Sequence, residues 1–255
     1  MSAASTDNGS KNAFDRDGFV IFDPGIPEKT IDGAVADVEQ GPRRGLLRRR
    51  TPPADAGRVT DAWTISSSVK QIALAPGVLA LLRELYEREP HPFQTLNFRV
   101  GTQQRTHADA VHFNTEPPGL MCGVWVALED VDEDCGPLVY YPGSHKLPYV
   151  SPSDVGIDVE PGQQAVAHDE YEARYEPYVE QLISREGLAA HHATVRKGQA
   201  LVWAANLLHG GSPVRVPGRT RRSQVTHYYF EGSRLWTPLL SSPGHVAWRE
   251  TPQIA

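Results

Sequence analysis

Along the chain the spacing of hydrophobic positions changes once, near Pro92. Before that point it is helical. Ile31, Ala34, Val35 and Val38 recur at i, i+3, i+4 and i+7, behind a proline, Pro27, that a first helical turn accepts. This predicts an amphipathic helix ending before Gly41-Pro42. A second helical stretch has Ser66 to Ser68 as candidate caps, is interrupted at Pro76-Gly77, and resumes through Val78, Leu81, Leu82 and Leu85. Ahead of both, Asp15 to Gly18 reads as a short capped turn entering the apolar strand Phe19-Val20-Ile21-Phe22. After Pro92 the chain turns to β-forming runs of strand length, at 94–100, 120–128, 138–141, 200–204 and 223–230, separated by Gly, Pro and Asp. Residues 146–196 break this series with a long polar insertion carrying a predicted helix over 169–185, the kind of segment that forms a lid or a substrate-facing wall.

Helices followed by short strands predict an α+β protein built on a double-sheet jelly roll or barrel. Such a fold has an open mouth, where inward-facing residues from distant strands meet. The expected organisation is a disordered tail over residues 1–13 and one domain over 14–255. With 40% hydrophobic and 22% charged residues among 255, the chain has the make-up of a globular enzyme. Its net charge of −6 disfavours a nucleic-acid partner. No apolar run is long enough for a membrane span, and the first residues lack the apolar core of a signal peptide. Cys122 and Cys135 make no disulfide framework, so a reducing cytoplasmic setting is the default expectation. Between residues 42 and 61 the composition shifts to Arg, Pro and Gly. Its arginines, Arg43, Arg44 and Arg48 to Arg50, are candidates for receiving an anionic substrate, a coenzyme-A thioester or an acidic carrier protein.

The candidate chemistry begins at His107-Ala108-Asp109. Residues two apart in extended chain share a face, so this imidazole and carboxylate can converge on one ion. Alone the pair is half a metal site, and a chain with 10 histidines contains such spacings by chance. A third donor comes from the apolar run Trp203 to Leu208, which leads into His209-Gly210-Gly211 and sets an imidazole at a strand end. Two imidazoles and one carboxylate with open positions form the facial triad suited to non-haem Fe(II). In the following strand, with Val225 and His227 inward, Arg221 and Ser223 share that face. A buried guanidinium calls for a carboxylate, preferably in a bidentate pair. His112, Phe113 and Asn114 are candidates for lining a substrate pocket. His145 is assigned to turn structure, His227 to the core, and His168, His191 and His192 to solvent. Rival readings of the same residues are a zinc hydrolase, which leaves the inward arginine unexplained, and a non-catalytic jelly-roll binding protein.

The ordered set of motifs resembles the phytanoyl-CoA dioxygenase family of Fe(II)/2-oxoglutarate-dependent oxygenases. It comprises Phe14-x-x-Asp17-Gly18-Phe19-Val20, His107-x-Asp109, Trp125 within Gly123 to Leu128, Gly136-Pro137-Leu138 leading to Pro142-Gly143-Ser144-His145, His209-Gly210-Gly211-Ser212, and Arg221. The resemblance implies a double-stranded β-helix, iron held by His107, Asp109 and His209, and 2-oxoglutarate anchored by Arg221, with Ser212, Trp125 and Asn97 beside it. It further implies O2 as oxidant, succinate and CO2 as products, and hydroxylation of a small molecule. The same cofactor chemistry also ends in desaturation, epoxidation or cyclisation. Two departures stand out. The interval from His209 to Arg221 is one residue longer than usual, which leaves Arg219 and Arg222 as alternative anchors, and Gly211 stands where the family often has Ser. Relatives that bind halide lack the carboxylate; this chain keeps Asp109, against a halogenase.

Overall fold

The N-terminal helices pack their buried apolar residues against one face of a sheet. The structure, a computed structural model, describes residues 9–41, 58–160, 162–250 and 254. The arginine-rich segment, with its anionic-substrate reading, falls within 42–57 and lies outside the described residues. Helix α1 (Gly9–Asp17) leads through Gly18 into β1 (Phe19–Phe22), followed by α2 (Glu28–Gln40), β2 (Arg58–Thr60), α3 (Ser67–Ala73) and α4 (Pro76–Tyr86). Ser66 caps α3 as its position suggested, its Oγ accepting from the Val69 amide at 3.1 Å. The expected tail over residues 1–13 needs correction from residue 9 onward. Phe14 is buried in α1, its ring 5.6 Å from that of Tyr86, and Lys11 Nζ donates to the Leu85 carbonyl at 3.1 Å. One apolar anchor turns the segment into a docked helix instead of a frayed end.

The strands that follow are β3 (Pro90–Phe98), β4 (Asn114–Glu116), β5 (Met121–Ala127), β6 (Leu138–Tyr140), β7 (His191–His192), β8 (Ala200–Ala204), β9 (His209–Gly211), β10 (Ser223–Phe230) and β11 (Arg234–Trp236). They form a six-stranded sheet in the order β1-β8-β5-β10-β3-β2, a three-stranded sheet β7-β6-β9, and a β4-β11 pair. On β10 alternate residues serve opposite faces. Gln224 and Tyr228 reach the helices, donating to the carbonyls of Val69 (3.0 Å) and Ala73 (2.7 Å). Val225 joins Trp125, Leu201 and Trp203 in a core closed from the other side by Leu138 and Tyr140 of the small sheet. Two antiparallel sheets face to face, with helices outside the larger one, are the jelly-roll architecture that the strand pattern predicted.

The insertion carries α5 (Gln164–Glu170), a π-helical turn over Tyr171–Tyr175 and α6 (Glu176–Arg185). Its helical stretch begins earlier than the expected 169. Among the described residues no helix is long and apolar enough to cross a membrane.

Candidate active site

The mouth between the two sheets is fixed by a turn and a pair of glycines. In Pro142-Gly143-Ser144-His145 the Ser144 Oγ donates to the Tyr141 carbonyl at 2.7 Å and accepts from the Leu208 amide at 2.9 Å. Asn206 Nδ2 donates to the carbonyls of His145 and Leu147 at 3.1 and 2.9 Å. His145 thus belongs to turn structure, as its motif indicated. The loop held in this way delivers β9. His107 and His209 then exchange backbone hydrogen bonds in both directions, each 2.9 Å, bringing the two imidazoles together. Gly210 and Gly211 allow this approach: a Cβ at Gly210 would lie 2.8 Å from the Gln104 carbonyl oxygen, and one at Gly211 2.7 Å from the Gln103 nitrogen.

His107, Asp109 and His209 are all buried, and among the described residues they are the one group of three His, Cys, Asp or Glu whose ligand atoms lie within 4.8 Å of one another. Asp109 Oδ1 is 3.7 Å from His107 Nε2 and 3.7 Å from His209 Nε2. The other ring nitrogens face carbonyls, His107 Nδ1 that of Arg105 at 3.0 Å and His209 Nδ1 that of Leu207 at 2.9 Å. A carbonyl only accepts, so each Nδ1 carries a proton and it is Nε2 of each neutral ring that can offer a lone pair to the shared centre. Burial pushes the His209 imidazole down to about 4, leaving it a neutral ligand at physiological pH. Burial alone would raise the Asp109 carboxyl, but the imidazoles of His209, His107 and His227 outweigh it and hold the group well below the usual carboxylate range, ionised. Burial lowers the His107 imidazole, but its contact with the Asp109 carboxylate outweighs this and holds it above its ordinary value, with a proton that an ion would displace. With that proton gone, two nitrogens and one anionic oxygen, oriented from behind, fit a divalent transition metal.

Just before β10 lies Arg221, only 2% exposed, with no hydrogen-bond partner at Nε or Nη1. Its guanidinium carbon sits 5.7 Å from the Trp125 ring and 6.0 Å from that of Phe98. Burial pushes it down to about 10, so it remains charged. The alternative anchors are engaged elsewhere: Arg219 pairs with Asp132 at 2.7 Å, and Arg222 with Glu129 and Glu39, each at 2.8 Å. Trp125 Nε1 and Ser223 Oγ are buried there without partners as well. Ser223 was placed on this face by the sequence but given no role. Asn97 requires correction. It stands directly opposite Gln224 and donates to its side-chain oxygen at 3.2 Å, on the helix-covered face and away from the interior that Leu96 and Phe98 enter. Ser212 is buried, but its Oγ is bound to His192 Nδ1 at 2.9 Å, which also gives the exposed His192 a partner.

The insertion reaches this mouth through Tyr171, whose ring lies 4.7 Å from that of His112; His112 in turn is 5.9 Å from His107. Phe113 sits 5.1 Å from His227. Asn114, expected beside them, spends its side-chain oxygen on the Thr115 amide at 2.8 Å. Two residues around Asp109 carried no site signal in the sequence. Trp203 Nε1 donates to Asp109 Oδ2 at 2.8 Å, and His227 Nε2 lies 3.4 Å from the same oxygen. His227 was read as core, which its burial fits, yet it faces the cluster.

A jelly roll with a buried His-x-Asp and a distal His at its mouth is the arrangement that the resemblance in sequence implies. Comparison with known proteins agrees: the model of the family described as Phytanoyl-CoA dioxygenase (PhyH) matches residues 14–223, and the chain belongs to that family. The Danio rerio protein "Phytanoyl-CoA dioxygenase domain-containing protein 1" is 34% identical over 80 residues, which cover 30% of this chain and 28% of the relative. Its Mus musculus counterpart is 35% identical over the same extent. Among solved structures, EctD from S. alaskensis in its apo form superimposes with a TM-score of 0.69 at 19% identity, covering 100% of this chain and 89% of that one. The non-haem α-ketoglutarate-dependent epimerase SnoN from nogalamycin biosynthesis gives 0.66 at 20% identity, covering 88% and 83%. The carbocyclase SnoK from the same biosynthesis gives 0.67 at 14%, covering 91% and 86%.

Proposed function

We propose that this protein is an Fe(II)/2-oxoglutarate-dependent dioxygenase that hydroxylates a small molecule, with release of succinate and CO2. His107, Asp109 and His209 would hold the iron, and Arg221 the distal carboxylate of 2-oxoglutarate. Iron bound there supplies the redox chemistry that couples decarboxylation of the keto acid to oxidation of the substrate by O2. The chain's own part is positioning, charge and exclusion of water.

The observation that carries this reading is Arg221. A permanently charged group with two partnerless nitrogens inside the barrel is a standing cost unless an anion meets it, and a dicarboxylate with one end at the metal is an anion of the right kind. Trp125, whose ring lies beside the guanidinium, has a buried N–H without a partner, and Ser223, two residues on in the chain, a buried hydroxyl without one. A zinc hydrolase leaves this guanidinium unexplained, and the complete ligand set beside it argues against an inert binding protein. His112, Phe113 and Tyr171 would form the wall against which the substrate rests. Hydroxylation is the outcome that requires nothing from the protein beyond metal, cosubstrate and a held C–H bond. SnoN and SnoK, which share the fold, are named for an epimerisation and a carbocyclisation, so product analysis is an essential part of the test.

Anaerobic protein given Fe(II) and 2-oxoglutarate should develop the weak visible charge-transfer band of a chelated keto acid, and Asp109→Ala or His209→Ala should abolish it. Folded, metal-loaded protein with no band would overturn the proposal. Succinate release across a compound panel, with mass analysis for one added oxygen, then tests the hydroxylase assignment.

A further inference from the structure

Three neighbouring strands place three residues in line across the large sheet: Trp203 on β8, Gly123 on β5 and His227 on β10 stand directly opposite one another. Gly123 is a gap in an otherwise side-chain-bearing, fully buried strand. A Cβ there would lie 2.4 Å from Cε2 and Cζ2 of Trp203, so the indole occupies the space that the missing side chain leaves. Lying there, it donates its N–H to Asp109 Oδ2 at 2.8 Å, and His227 closes on the same oxygen from the other side at 3.4 Å. The other oxygen, Oδ1, is left equidistant from the two imidazole nitrogens.

We infer that Trp203, seated over Gly123, is a positioning residue that commits Asp109 to presenting a single oxygen to the metal; this rests on the iron-binding reading above. A carboxylate with both oxygens free can chelate and take a second coordination place. With Oδ2 held by the indole, that place stays available for the keto acid or O2. The hydrogen bond also fixes the carboxylate plane before metal arrives, as outer-sphere partners of metal ligands do.

The test uses Co(II) as an anaerobic probe on the full chain. Trp203 is replaced by 3-benzothienylalanine, which keeps the shape of indole but has sulfur in place of N–H, and separately by Phe; Gly123→Ala displaces the indole from the other side. The isostere should bind Co(II) about 10–100-fold more weakly than the natural protein, the range typical of losing an outer-sphere hydrogen bond, with shifted and weakened visible bands as the freed oxygen joins the ion. Its apo form should unfold within a degree or two of the natural protein, since its packing is unchanged. Co(II) affinity within twofold of the natural protein would overturn the inference, and it would do so even if Trp203→Phe bound poorly, because the effect would then be one of packing. Failure of the natural protein itself to bind Co(II) would remove the iron-binding reading, and the inference with it.

Discussion

Replacing Arg221 by Met should make the protein more stable and its cosubstrate weaker. The side chain is 2% exposed, and its Nε and Nη1 have no acceptor. Burial pushes the group down from its ordinary value to about 10, which corresponds to roughly 3 kcal/mol lost on folding a charged guanidinium there. The sign follows from a folded-state value below the unfolded one: the penalty is complete at neutral pH and would fade only as pH climbs past about 10. A methionine of similar length and no charge removes it, so the apo protein should gain about 1–3 kcal/mol. For a chain of this size each kcal/mol moves the melting temperature by about 2–4 °C. Binding moves the opposite way. Removing one partner of a buried, hydrogen-bonded charge pair costs on the order of 2–5 kcal/mol, or roughly 30- to 4,000-fold in the 2-oxoglutarate requirement. The assay is a pair of thermal melts of the metal-loaded protein, with and without 2-oxoglutarate under anaerobic conditions, alongside KM for 2-oxoglutarate from succinate release. The variant should melt higher than the natural protein without cosubstrate and lose most of the stabilisation that cosubstrate confers. A variant that melts lower, or whose KM rises less than threefold, refutes the reasoning. A large KM effect from Arg222→Met, whose pairs with Glu39 and Glu129 lie near the surface, would move the anchor by one residue.

Asp109→Ala should abolish Fe(II) binding in equilibrium dialysis, exceeding the about 10–100-fold loss expected from removing an outer hydrogen bond. Tyr171→Phe removes a buried hydroxyl that has no partner. Its melting temperature should therefore hold or rise slightly, by an amount equivalent to at most ~1–3 kcal/mol, while kcat/KM for the oxidised substrate falls if Tyr171 faces it; an unchanged kcat/KM removes Tyr171 from the substrate wall. Arg105 grips Glu180 at 2.8 Å and Glu176 at 3.4 Å across the gap between barrel and insertion. Arg105→Gln should cost about 1 kcal/mol or less through the exposed Glu180 pair, with a further penalty from leaving the buried Glu176 carboxyl unpaired, and raise hydrogen exchange over 164–185; unchanged exchange there would show that packing alone seats the insertion.

The candidate metal ligands were legible because their chemistry is written in residue type and short spacing: a His-x-Asp in extended chain, and a His followed by two glycines. The inward burial of Arg221 was legible from strand parity with Val225, and its separation from its neighbours was not: Arg219 and Arg222 have acidic partners, whereas Nε and Nη1 of Arg221 have none. Asn97 failed on the same parity. Its strand is buried on both faces, so polarity no longer marks which face points inward, and Thr95 and Asn97 sit under the helices while Leu96 and Phe98 fill the interior. Trp203 was invisible because a tryptophan in an apolar run reads as core. Its N–H finds Asp109 only through the register of β8 on β5, which no local pattern encodes. The helix α1 was missed for a related reason: one buried Phe14 carries its docking, and a single aromatic sets no period.

The two backbone hydrogen bonds exchanged by His107 and His209 have a consequence for how the protein tolerates iron scarcity. The candidate ligands are brought together by main-chain pairing and by the Ser144 turn, hydrogen bonds in which no ion takes part. Small zinc domains, by contrast, borrow their folding energy from the metal and fall apart when it is chelated. Here a chelator should strip the ion and leave a folded shell, with far-ultraviolet circular dichroism unchanged and activity restored within minutes of adding Fe(II). A cell short of iron would then hold this protein as a dormant reserve, switched on by supply and without new synthesis.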